Sequence, residues 1–163
     1  MKTSGTLNSF LVGAPSADCC RFDAGDTVVC RAKGSARNSF PLSCAVPVVA
    51  FESDGNPYRF PPEKTKGACD WCVFTECGLR GCYIELKGSD YFHALEQLAS
   101  TMTYMRAEYG VEPRLAFAVL SGVHPSNARP GKANAKAKFS RRFPGVVLRE
   151  RSMGRSKPED VLR

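Results

Sequence analysis

Hydrophobic and polar positions change their period several times along this chain, and each change predicts an element. In Cys69-Asp70-Trp71-Cys72-Val73-Phe74 and Cys82-Tyr83-Ile84-Glu85-Leu86-Lys87 the period is two. Side chains of a strand alternate between faces, so Trp71, Val73, Ile84 and Leu86 share an apolar face. Asp70, Cys72, Glu85 and Lys87 can share the other. The link, Glu76 to Gly81, contains Gly78 and Gly81, which suits a hairpin. From Tyr91 the period becomes helical: Tyr91, Leu95, Leu98, Met102, Met105 and Tyr109 recur every three or four residues. Gly88-Ser89-Asp90 ends the strand and caps the helix, and Gly110 stops it. Leu115 to Leu120 is a continuous apolar run, the pattern of a strand buried on both faces. Strand, helix and buried strand in that order predict a right-handed crossover between parallel strands.

The flanks are less regular. Thr27 to Cys30 and Phe10 to Val12 are short apolar pieces that suit strands or edges. Cys44 to Glu52 reads as a strand, with Pro47 pushing it toward an edge or a bulge. Residues 53–67 and 121–135 are rich in loop-forming residues. Lys136 to Arg142 reads as a basic helix and Val146 to Leu148 as a last strand. These elements predict a mixed α/β fold: a central mixed sheet with an antiparallel hairpin, a crossover helix and a further parallel strand. Residues 1–150 are expected to form one domain and residues 151–163 a mobile basic tail.

Register decides whether the charged residues meet. Any antiparallel pairing whose residue numbers sum to an odd value places Asp70 on the face of Glu85 and Lys87. A slip by one residue separates them and turns Trp71 to the wrong face, so the apolar pattern favours the register that gathers the charges. Two carboxylates can hold Mg²⁺ or Mn²⁺ together with water and a substrate phosphate, and the Leu86 backbone carbonyl adds a third oxygen. A lysine beside them can orient water and offset charge developing on a phosphate.

Asp70, a hairpin, then Glu85-Leu86-Lys87 resembles the PD-(D/E)XK nuclease superfamily, with its restriction-endonuclease-like fold. Its signature is an aspartate at the start of one strand and Glu-x-Lys on the next, in a core of helix, three-stranded meander, crossover helix and further strand. The resemblance covers residues 44–122. It implies a Mg²⁺- or Mn²⁺-dependent nuclease, with Asp70, Glu85 and Lys87 as catalytic residues and with Asp70, Glu85 and the Leu86 carbonyl as metal ligands. Members of the RecB-like branch carry a glutamine in the following helix with a tyrosine four residues on. Gln97 matches, while Thr101 stands in place of the tyrosine, and Ala68-Cys69 stands where a proline usually precedes the aspartate. Many members add an acidic residue from an N-terminal helix, for which Glu52 and Glu63 are the candidates. The resemblance also implies work as a homodimer or beside a larger protein partner.

Charge extends this reading. The 163-residue chain carries a net charge of +7. Residues 129–157 hold ten basic residues against the single acid Glu150, so the rest of the chain is slightly acidic. A basic segment beside a near-neutral domain is the footprint of a nucleic-acid binder, and DNA is the expected partner. Lys132, Lys136, Lys138, Arg141 and Arg142 are the expected contacts, with Phe139 and Phe143 interleaved to pack on the core or against bases. No apolar run approaches the length of a membrane span, no signal peptide is visible, and a cytoplasmic location is expected. Eight cysteines without a secretion signal argue for thiols rather than disulfides. Structural Zn²⁺ is not expected, since Cys69 and Cys72 would point to opposite faces of one strand. His93 and His124 read as polar surface or loop residues. Two other classes remain open: a catalytically silent nucleic-acid-binding module, and a cysteine-rich protein-interaction domain docking an acidic partner through its basic segment.

Overall fold

The computed structural model describes residues 20–34, 38–54, 67–75, 80–88, 90–121, 130–154 and 157–161. In chain order the elements are β1 (Cys20–Phe22), β2 (Thr27–Arg31), β3 (Ser39–Cys44), β4 (Val48–Glu52), β5 (Trp71–Thr75), β6 (Arg80–Lys87), α1 (Tyr91–Tyr109), β7 (Glu112–Leu120), α2 (Lys132–Arg142), β8 (Val147–Ser152) and β9 (Glu159–Val161). Six strands form one sheet in the order β1-β4-β5-β6-β7-β8, and β2-β3-β9 form a second. The large sheet is antiparallel from β1 to β6 and parallel from β6 to β8.

Alternation divides the core into two layers. Val49, Phe51, Phe74, Tyr83, Ala116 and Ala118 face α1 and α2. Val48, Val73, Ile84, Leu86, Phe117 and Val119 face the small sheet, where they meet Val28, Phe40 and Leu42. Sheet faces of this kind bury apolar area on both sides, which stabilises by roughly 25 cal/mol per Å². The hairpin β5–β6 is therefore covered twice, and its second face is not the open polar face its alternation suggests. Phe74 and Tyr83 fill that face, ring centroids 5.8 Å apart. A side chain at Gly81 would strike the Tyr83 ring, 2.7 Å from the nearest atom, so a larger residue there would have to displace that buried ring.

The helix is laid down as its stripe predicts. The Asp90 side chain accepts the His93 N–H at 3.1 Å, and Gly110 ends α1 in the left-handed region at φ 68°. Tyr91, Leu95, Leu98, Met102 and Met105 are buried against the sheet. His93 is exposed, as read, while His124 and Glu63 lie outside the described residues.

Three expectations are corrected. Cys44 to Glu52 is two strands, because Pro47 lies in the break between β3 and β4, and β4 is interior rather than an edge. Within the expected mobile tail, the described residues include strand: Arg151 and Ser152 belong to β8, Glu159–Val161 pairs in parallel with β3, and Arg151 bonds Glu159. The basic helix begins at Lys132, four residues earlier than expected.

Candidate metal centre

The antiparallel ladder pairs Trp71 with Ile84 and Cys72 with Tyr83. Residue numbers thus sum to an odd value, and Asp70, one residue before β5, falls opposite Glu85. At this end the ladder is closed by side chains. The Leu86 N–H donates to Asp70 Oδ2 at 2.6 Å, and the Asp70 N–H donates to Glu85 Oε2 at 3.1 Å. Each carboxylate is thereby locked to the other's strand. Lys87 Nζ lies 3.2 Å from Glu85 Oε1, an ion pair without the alignment of a hydrogen bond, so Oε1 stays buried without a hydrogen-bond partner. The Lys87 side chain is 30% exposed and that of Glu85 only 1%, so the site opens through the lysine.

Electrostatics follow from this burial. Loss of water pushes the Glu85 carboxyl up to about 8, the neighbouring Asp70 charge adds to the rise, and Lys87 opposes it. Burial also raises Asp70, against the Leu86 N–H and Lys87, with the charges of Asp54 and Glu52 pushing further up.

Strand geometry settles the carbonyl. Successive carbonyls point to opposite sides along the sheet, and Lys87 O accepts the Ser121 N–H on the β7 side. Leu86 O therefore points toward β5, the side of Asp70. Glu85 Oε1, the second oxygen of Asp70 and this carbonyl are the oxygens at this end of the ladder that a hard cation could use. No group of three His, Cys, Asp or Glu side chains able to hold a metal occurs among the described residues. A cation here would rest on two carboxylates, a carbonyl, water and substrate, which is how Mg²⁺ is usually held. The buried Glu85 Oε1, met by the Lys87 ammonium, is one oxygen that could serve that use.

Two predicted site residues fall elsewhere. Glu52 pairs with Trp71 and so projects toward the small sheet, on the face opposite Glu85; it acts on Asp70 through its charge, not as a ligand. Gln97 donates its amide to Ala68 O at 2.9 Å, so it acts on the chain ahead of Asp70. The thiols are also corrected. Cys69 precedes the strand instead of lying in it, and both Cys69 and Cys72 turn to the helix side, flanking Ser53 Oγ at 3.8 and 3.5 Å.

The basic residues divide. Lys132 is drawn inward onto Glu150, whose other oxygen meets Tyr91 OH at 3.2 Å and Lys136 at 3.7 Å. Arg142 bonds Thr103. Lys138 and Arg141 are exposed with no partner among the described residues. Phe139 and Phe143 are core residues that fasten α2. Arg149 and Arg151 lie on the other face and bind Glu159, so the basic segment does not form one continuous surface. Glu150 was not singled out by sequence. It shares a row with Glu85 through Ala118, two strand spacings or about 10 Å away, and a pattern of residues far apart in the chain gave no signal for that.

No family model matches this chain, and neither a curated protein nor a solved structure does. No helix among the described residues is long and apolar enough to cross a membrane.

Proposed function

We propose that this protein is a metal-dependent nuclease that hydrolyses phosphodiester bonds, with DNA as the favoured substrate. The observation that carries the reading is the convergence of Asp70, Glu85 and Lys87 at one end of the sheet, with the buried Glu85 Oε1 3.2 Å from the Lys87 ammonium. The order of elements supports it: the meander β4–β5–β6, the crossover helix α1 and the parallel strand β7 follow the arrangement that the PD-(D/E)XK resemblance implies.

Asp70, Glu85 and the Leu86 carbonyl would hold Mg²⁺ or Mn²⁺. When bound, the ion polarises the scissile phosphate and lowers the pKa of a bound water. Lys87 holds the attacking water and offsets the charge that develops on the phosphate. Glu85 must first shed the proton that burial favours. Lys138 and Arg141 on α2 contact phosphates away from the cut, which contributes affinity without sequence choice. The buried free thiols suit a reducing compartment such as the cytoplasm.

A plasmid-nicking assay with Mg²⁺ or Mn²⁺ tests this reading. Wild-type protein should nick, and Lys87→Ala and Asp70→Asn should bind DNA but not cut it. Salt-dependent binding without cutting by the wild type would instead indicate a silent binding module.

A further inference from the structure

The geometry points to Thr101 and Ser53 as positioning residues that hold Asp70 in place for metal binding; this rests on the nuclease reading above. Asp70 lies outside regular β-structure, one residue before β5. A buried irregular segment must find partners for each backbone polar group. Here two different elements supply them. From α1, Thr101 Oγ1 accepts the Cys69 N–H at 2.7 Å and donates its own proton to Gln97 O at 2.9 Å. Gln97 Nε2 donates to Ala68 O. From the residue after β4, the Ser53 hydroxyl donates to Cys69 O, and the Ser53 N–H donates to Asp70 O at 2.9 Å.

The carbonyl of Ala68, both polar groups of Cys69 and both of Asp70 are thus held. Thr101 and Ser53 are fully buried, so water cannot replace either hydroxyl. Neither touches the carboxylates. Their effect passes through the backbone at residue 69, which sets where the Asp70 side chain starts. Thr101, the residue that departs from the tyrosine of the RecB-like pattern, has this work instead. Its hydroxyl sits one turn beyond Gln97 and turns the helix into a clamp on the strand entry.

The test compares Thr101→Val, Ser53→Ala and Thr101→Ser with wild type. Two measurements are made on each: Mn²⁺ affinity by calorimetry, and kcat and KM for plasmid cleavage. Thr101→Val and Ser53→Ala are each expected to lower kcat about ten- to a hundredfold, the scale of a small misplacement at a reacting centre. Both should also weaken Mn²⁺ binding and leave KM for DNA unchanged. Thr101→Ser keeps the hydroxyl and should restore both readouts. A wild type that binds Mn²⁺ and cuts, beside folded Thr101→Val and Ser53→Ala that match it, would overturn the clamp alone. So would a change confined to KM, or a Thr101→Ser as impaired as Thr101→Val. A wild type that neither binds Mn²⁺ nor cuts would remove the nuclease reading and the clamp with it. If Thr101→Val does not fold, Ser53→Ala carries the same expectations from a different element.

Discussion

Glu85 keeps its proton to about pH 8 in the folded chain because it has lost water and faces Asp70. In the unfolded chain the same carboxyl ionises near its usual value of about 4.3. Between these values folding takes up a proton, so this residue's contribution to stability is full below the unfolded value and is lost as pH rises toward about 8. Thermal melts of the metal-free protein should therefore show a Tm that falls across this window, and Glu85→Gln should flatten the dependence. On the proposed metal-binding reading, the same proton would have to leave for a divalent ion to bind. Calorimetric titration with Mn²⁺ near pH 7, in two buffers of different ionisation enthalpy, should report the release of about one proton per ion, and Glu85→Gln should bind no Mn²⁺.

Elements here follow local signals wherever those signals are complete. The Asp90 cap, the stripe from Tyr91 and the stop at Gly110 agree with one another, and α1 runs between them. Asp90→Ala should cost about 1 kcal/mol, seen as a Tm lower by roughly 2–4 °C. Alternation in the hairpin was equally legible, and with it the meeting of Asp70, Glu85 and Lys87. What could not be read is what depends on the neighbouring strand. Glu52 lies on the far face because β4 pairs it with Trp71, and no period within residues 44–52 reveals a partner. Cys69 and Cys72 share a side because the strand starts at Trp71, two residues later than the alternation suggests. Thr101 read as a mismatch because its partner, the Cys69 N–H, belongs to the backbone and has no letter in the sequence.

Charge acts at the scale of the whole molecule. Among the described residues the basic side chains of the C-terminal segment lie on two faces, with the α2 residues on the helix side and Arg149 and Arg151 held by Glu159 on the other. The surface that the proposed function would present to a nucleic acid is consequently narrower than composition suggests. In a non-cutting Asp70→Asn background, Lys138→Ala with Arg141→Ala should weaken DNA binding. Each lost phosphate contact should reduce the slope of log K against log salt by about 0.9 for duplex DNA. The parallel pairing of β9 with β3 has a kinetic consequence as well. Leu42 finds Glu159 more than a hundred residues further along the chain. Closing so large a loop is slow, so the three-stranded layer should assemble after the β5–β6 hairpin and α1. Amides of β3 that bond β9 should then be the last to gain protection from deuterium exchange during refolding.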